Sequence, residues 1–337
     1  MEENKPVELA PDVLNELMVP EYIDQEWLKE QPKKVYRLDR SGHRYYYTYN
    51  DKGEPTFFVS VTTFIKQTMP TSPHLIKWMA DMGSEESKRY AEERAAYGTF
   101  LHMQCAKLME EAKYDLDLLT YELEGYMEEH RLPHTFRAYS EDLKKDVLAF
   151  SAFMIEYNVI PVAIELVLTH EEYGVAGAID LVCEMDVEVD ALSDEVFKSG
   201  PRKGMKKPIK VKERKLCIVD LKSGRKGFFE GMEIQLHCYW DMWKRNFPDL
   251  QVERVYNWSP KEWRTAPSYN LKDQTDSRSA KKLPLLIDLA KIEDERKNNS
   301  LTICHGVIEI QKGLYPNVET IELSELVKRK RGTDTKN

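Results

Sequence analysis

A chain of 337 residues with 42% hydrophobic and 32% charged side chains has the composition of an ordinary soluble globular protein, long enough for one large domain or two moderate ones. The formal net charge of -9 excludes a molecule whose overall field draws it to polyanions, so a nucleic-acid partner would have to be met by local basic patches and bound metal. Apolar runs are short and soon interrupted, and Met1-Glu2-Glu3-Asn4 leads into no apolar stretch, so neither a membrane span nor a signal peptide is expected.

Residues 1–34 are rich in Glu, Pro and Lys and read as an arm packed on the body, with a short helix around Asp24–Leu28. Val35–Leu38 and His43–Thr48 flank a Ser41-Gly42 turn and predict a hairpin. Its tyrosines are strand formers first, and stacking on bases is the alternative. A turn over 51–55 leads into a strand over 56–61. From Ser60 the pattern becomes helical, with Ser60 or Thr62 as cap and Met69-Pro70 as stop. Helices follow over 72–82 and 85–111. On the second, Gly98 and His102 stack one turn apart, so the missing side chain leaves room for backbone or phosphate beside the imidazole. A half-buried histidine held by a backbone carbonyl is the plain alternative.

Residues 115–141 read as polar and irregular, a solvated acidic face, before a helix from Ser140 or Glu141 to Tyr157. Pro161–Leu168 predicts a strand buried on both faces, interrupted by Glu165, which needs a partner. A turn over 170–174 returns the chain along Val175–Val182, another apolar strand with one embedded acid, Asp180. Leu216–Leu221 repeats the pattern with Asp220, and Lys222 lies two residues on, on the same face of a strand. Acids converging from such strands make an oxygen-rich site for a hard divalent ion, with the amine alongside. Residues 186–215 form an insertion, acidic and then basic, expected to be a loop that is mobile until bound. It is either solvated or a grip for phosphate. After a turn over 223–227, a helix over 230–244 stacks Gln235 and Tyr239 on one face and packs through Leu236, Trp240 and Trp243. A strand over 251–258, broken at Trp258-Ser259-Pro260, a hydrophilic link, a helix over 279–297, a strand over 301–310 and the basic tail Lys328–Arg331 complete the chain.

Five elements stand in a family's order: Ser60-Val61-Thr62-Thr63, Gly98-x-x-x-His102, Gly177-x-x-Asp180, Asp220-x-Lys222 and Gln235-x-x-x-Tyr239. On them, residues 58–245 resemble the PD-(D/E)XK nuclease superfamily in its RecB-like and phage-exonuclease branch. The resemblance implies an α/β fold with a mixed central β-sheet flanked by helices, a restriction-endonuclease-like core over 58–258. An arm and hairpin over 1–57 precede it, the amino-terminal part is mostly helical, and an extension over 259–337 follows. It also implies Mg²⁺- or Mn²⁺-dependent phosphodiester hydrolysis leaving a 5′-phosphate. Asp180 and Asp220 would be the metal ligands, helped by Glu165, His102 and the carbonyl of Leu221, and Lys222, Gln235 and Tyr239 would serve catalysis. Phosphate contact is assigned to Arg202, Lys203, Lys206, Lys207 and Lys210 of the insertion and to Arg225 and Lys226.

Cys105, Cys183, Cys217, Cys238 and Cys304 lie far apart without a CxxC pair, which suits a reduced, cytoplasmic protein. Relatives of this kind that carry an iron–sulphur cluster use closely spaced carboxy-terminal cysteines. Only Cys304 lies in that region, so no cluster is expected. Among nucleases the motif order favours exonucleolytic processing of linear DNA ends in recombination, repair or replication, in company with a protein of one of those pathways. A structure-specific endonuclease, a non-catalytic nucleic-acid-binding or assembly protein on the same fold, and a hydrolase of a small phosphorylated substrate are the alternatives.

Overall fold

The computed structural model describes residues 15–17, 34–40, 43–225 and 227–297. Strands come first: β1 (Asn15–Leu17), β2 (Val35–Arg40), β3 (His43–Tyr49) and β4 (Pro55–Ser60) pair antiparallel in that order. Tyr36, Tyr47, Tyr49 and Phe57 pack ring against ring on one face of this run, so its aromatics serve cross-strand packing. Ser60 then ends the strand and caps α1 (Val61–Thr68), its hydroxyl accepting from the Thr63 N–H at 3.1 Å. Next come α2 (Pro73–Met82), α3 (Ser84–Glu111), α4 (Leu116–Glu129) and α5 (Ser140–Glu156).

The core sheet follows as β5 (Ile160–His170), β6 (Val175–Val196) and β7 (Lys206–Leu221), an antiparallel meander. Helix α6 (Glu230–Asn246) carries the chain over to β8 (Arg254–Pro260), which lies parallel to β7 and is edged by β9 (Tyr269–Asp273). Alternate residues of β6 and β7 feed two cores. Leu181, Cys183, Met185, Cys217 and Val219 pack with Phe100, Phe150 and Phe153, while Val182 and Ile218 pack with Leu236, Met242 and Trp243. The fold is therefore a mixed central sheet flanked by helices, and the near-continuous apolar runs in its strands follow from burial on both faces.

β5 pairs with β6 along residues 175–184, so it occupies one edge of that strand. β4 and β7 must share the other: β4 pairs in parallel at Val175 and Ala176, and β7 pairs antiparallel from Leu181 onward. Residues 177–180 fall between them with no strand partner on that edge. The sheet forks there, at the Gly177-x-x-Asp180 segment.

Several expectations are corrected. Residues 116–129 are helical because Leu119, Leu123, Tyr126 and Met127 form a buried stripe at helical spacing beneath the acids. The insertion is not a loop: β6 and β7 continue as a two-stranded ribbon as far as the Val196–Lys206 pair. Across it Lys210 meets Asp190 at 2.8 Å, Lys207 meets Glu195 at 2.8 Å and Lys206 meets Asp194 at 3.2 Å. β8 runs on through Pro260, and part of the expected link is strand β9.

The chain divides into two compact units, Met1–Ala290 and Lys291–Asn337. Helix α7 (Leu283–Lys297) contributes Leu283 and Ile287 to the core of the first unit, and its last residues are the described part of the second. The expected helix at Asp24–Leu28, the Ser41-Gly42 turn, Lys226, Cys304, the strand over 301–310 and the tail Lys328–Arg331 lie outside the described residues. Among the described residues no helix is long and apolar enough to cross a membrane, and Cys105, Cys183, Cys217 and Cys238 are buried free thiols.

Candidate metal centre

Glu165 and Asp180 face each other because β5 and β6 pair with Ile164 opposite Leu181 and Leu166 opposite Ile179. Glu165 takes a left-handed φ of 51° in mid-strand, a conformation that a non-glycine residue adopts at a cost of roughly 1–3 kcal/mol. His102 arrives from α3, with Nδ1 3.6 Å from a Glu165 oxygen and 3.5 Å from Asp180 Oδ1. One donor atom from each of His102, Glu165 and Asp180 lies within 4.8 Å of the others, and this group could hold a metal ion. Ligands at about 2.0–2.6 Å from one ion stand at most about 4–5 Å apart, so the span fits.

Asp220 stands at the end of β7 beside this group and is 1% exposed. Its Oδ1 accepts from Lys222 Nζ at 2.7 Å and its Oδ2 from Asn257 Nδ2 at 2.7 Å. Each oxygen keeps a further lone pair. The Leu221 N–H donates to Asp180 Oδ2 at 2.6 Å, so the end of β7 is tied across the fork. Lys222 Nζ also donates to Gln235 Oε1 at 3.2 Å, and Gln235 Nε2 donates to Tyr239 Oη at 2.7 Å. The i, i+4 spacing on α6 thus builds a chain that ends on the lysine.

Glycines admit these contacts. A Cβ on Gly177 would lie 2.7 Å from Tyr239 Cε1, and one on Gly98 would lie 3.0 Å from Ser223 Oγ. The spacing of each glycine before its functional residue reflects close approach of another element.

Electrostatics follow from three carboxylates meeting two cations in a buried place. Burial alone would lower the pKa of His102, but Asp180 and Glu165 outweigh it and hold the imidazole at about 10. Burial pushes Glu165 up, the His102 contact pulls it partly back, and the Asp180 charge adds to the rise. Asp180 goes the other way: burial is overcome by His102, Lys222 and the Leu221 N–H, and its pKa falls below the usual carboxylate range. Burial lifts Asp220 to about 6, opposed by Lys222 and helped by the Asp180 charge. Against burial, Asp220, Asp180 and Glu165 raise Lys222, so its amine is held as an ammonium. The imidazolium occupies the place of a cation, and a metal ion binding through that nitrogen would displace its proton.

Behind Asp220 runs a buried polar relay. Asn257 Oδ1 accepts from Gln274 Nε2 at 3.2 Å, and the Gln274 carbonyl meets His237 Nε2 at 2.8 Å. Burial and, more weakly, Lys244 depress the His237 pKa, against the pull of the Gln274 carbonyl. A depressed pKa contributes stability that is present above the unfolded value of about 6.5 and is lost as pH falls through the folded one. His237→Gln is therefore expected to lose less stability than the parent between about pH 7 and pH 5, as read from urea melts at both pH values. Asp220 has the opposite sign: its raised pKa makes stability fall as pH rises from the unfolded carboxylate value towards about 6.

A cavity of about 720 Å³ opens over the centre, lined by His102, Glu165, Asp180, Lys222, Gln235 and Tyr239. Among the described residues, the basic side chains expected to contact phosphate do not line this cavity. Arg202 and Lys203 sit in the turn at the ribbon tip, and Lys206, Lys207 and Lys210 face acids of the opposite strand. Arg225 is held by Asp146 at 2.7 Å, by Glu262 and by Asp142 at 3.7 Å. Asp146 is 1% exposed and also accepts from Tyr97, so this cluster fastens the turn after Lys222 to α3 and α5. Asn257, Asp146 and the cavity-lining Arg37, Arg44 and Arg94 were not singled out in the sequence. The embedded Asn257 in an apolar strand was the one local signal among them.

No protein-family model matches this chain, and no curated protein matches it. Among solved structures, the crystal structure of "Putative exonuclease" from Eubacterium rectale aligns with 64% of this chain and 80% of its own, at 11% identity and a TM-score of 0.28. A likeness of that depth carries no weight for fold or activity.

Proposed function

We propose that this chain is a divalent-metal-dependent DNA exonuclease that hydrolyses phosphodiester bonds at DNA ends. One observation carries the reading: a His102–Glu165–Asp180 donor group and an ammonium fixed by a further carboxylate share one cavity. His102, Glu165 and Asp180 would hold the ion, with Asp220 adjoining. When bound, Mg²⁺ or Mn²⁺ supplies Lewis-acid polarisation of a phosphate and acidifies water.

The protein's own groups do the rest. Lys222 is held as an ammonium beside Asp220, which suits it to offset negative charge growing on the phosphate. Its position is over-determined by Asp220 on one side and Gln235 on the other. Tyr239 accepts from Gln235, and burial pushes its pKa well above the ordinary value, so its own O–H remains available as a donor into the cavity.

The test uses end-labelled linear duplex, linear single-stranded and closed circular DNA, each incubated with Mg²⁺, with Mn²⁺ and with a chelator. Label should leave the linear substrates only when metal is present, and the closed circle should persist. Cutting of the circle would make the enzyme an endonuclease, and release of label in chelator would remove the metal from the reaction.

A further inference from the structure

The cavity has a second wall that the hydrolytic chemistry leaves unused. Three guanidinium groups line it: Arg37 from β2, Arg44 from β3 and Arg94 from α3. Arg37 is in register with Tyr46, and Arg44 lies two residues before Tyr46 on the same strand, so all three side chains leave the hairpin from one face. Tyr46 lines the same cavity, which identifies that face as the one turned to the centre.

Arg94 comes from a different element, α3. Arg94, Gly98 and His102 follow one another at four-residue intervals on α3 and all line the cavity, which puts Arg94 about 12 Å along the helix from His102. Its guanidinium is set in place by the Ser223 carbonyl at 3.3 Å and by stacking over Tyr97, 4.3 Å from the ring centre.

Charge narrows the ligand. At the floor Lys222 pairs with Asp220, and a divalent ion would offset Glu165 and Asp180. A wall of three further cations is more than one phosphodiester needs. Guanidinium groups match phosphate oxygens in a two-point geometry, and a row of them matches a row of phosphates.

We infer that Arg37, Arg44 and Arg94 form a subsite for the phosphates that neighbour the one at the metal centre along a polynucleotide strand. The identity of the reacting phosphate rests on the exonuclease reading; the binding does not. The hairpin precedes the part of the chain that carries the nuclease-like motifs, so Arg37 and Arg44 belong to the chain's own amino-terminal elements, and Arg94 shares its helix with His102.

The experiment titrates the full chain, in chelator, with fluorescein-labelled oligothymidylates of two and eight nucleotides, at several salt concentrations. The octanucleotide should bind more tightly than the dinucleotide. The Arg37→Gln/Arg44→Gln variant should weaken octanucleotide binding at least tenfold and reduce the slope of log affinity against log salt by about 1.4, two contacts at ~0.7 each for a single strand. Arg94 is left in place because its stack on Tyr97 supports the core. Arg44→Gln alone, at an exposed position, should reduce the slope by about half as much, and it decides the matter if the double variant does not fold.

A Mn²⁺-induced rise in Tm that persists in the variants assigns the loss to the wall and not to the floor. Unchanged affinity and slope, or a dinucleotide that binds as tightly as the octanucleotide, overturn the subsite. Salt-dependent binding by a protein that hydrolyses no DNA would sink the exonuclease reading and leave the subsite standing. DNA hydrolysis alongside a variant that binds like the parent would do the reverse.

Discussion

Asp180→Asn is expected to slow DNA hydrolysis in Mg²⁺ by at least ~10³-fold, about 4 kcal/mol of barrier, and to erase the rise in Tm that Mn²⁺ produces in the parent protein. The amide still offers an oxygen to the Leu221 N–H, so the tie between β6 and β7 survives and the metal-free variant should melt cooperatively. What disappears is the charge that, with Glu165, makes the fork attractive to a cation. Lys222→Gln separates the two roles. It keeps a donor for Asp220 and removes the ammonium, so hydrolysis should fall while the Mn²⁺ shift in Tm remains. Initial rates on labelled DNA and paired thermal melts measure both variants. Parent-like turnover in Asp180→Asn would remove the fork from the chemistry.

Gly177→Ala is the second large effect, and it comes from packing. The new methyl would sit 2.7 Å from a ring carbon of Tyr239 and 3.2 Å from a Val61 methyl, and both side chains are buried. Neither can yield without moving a helix, so the substitution should lower stability by about 1–3 kcal/mol. Hydrolysis should fall as well, because Tyr239 is linked through Gln235 to Lys222. Gly98→Ala is the control. Its Cβ meets the Ser223 side chain, the hydroxyl at 3.0 Å and Cβ at 3.7 Å, and alanine gains about 1 kcal/mol of helix propensity there, so its urea midpoint should stay near the parent's. A parent-like midpoint for Gly177→Ala would mean that the ring and the strand are further apart than described.

The parts of this architecture that were legible in the sequence share one cause. Glu165, Asp180 and Asp220 each interrupt an apolar run, and a charge embedded where both faces are buried is conspicuous even before the strands are placed. The ribbon was less legible than it needed to be. Asp186-Val187-Glu188-Val189-Asp190-Ala191 alternates with period two, but its density of charge, and that of the lysines opposite, suggested a solvated loop. Pairing turned those lysines towards acids, which a one-dimensional tally of charge does not reveal. Helix α4 was obscured in the same way, its acids outnumbering a buried stripe of Leu119, Leu123, Tyr126 and Met127. Arg37 and Arg44 had no local signal: an arginine on a hairpin strand acquires meaning only when the fold sets it over a cavity built from residues far along the chain.

The divergence of β4 and β7 along β6 has a bearing on how this molecule can change over time. A wedge cut into a sheet has its width dictated by hydrogen-bonded ladders, which tolerate no gradual adjustment, whereas a mouth bordered by loops widens or narrows with every insertion. Descendants of this chain could lengthen the ribbon, trade the hairpin's cationic side chains or gain whole appendages, altering what enters and how firmly, without disturbing the spacing of the acids beneath.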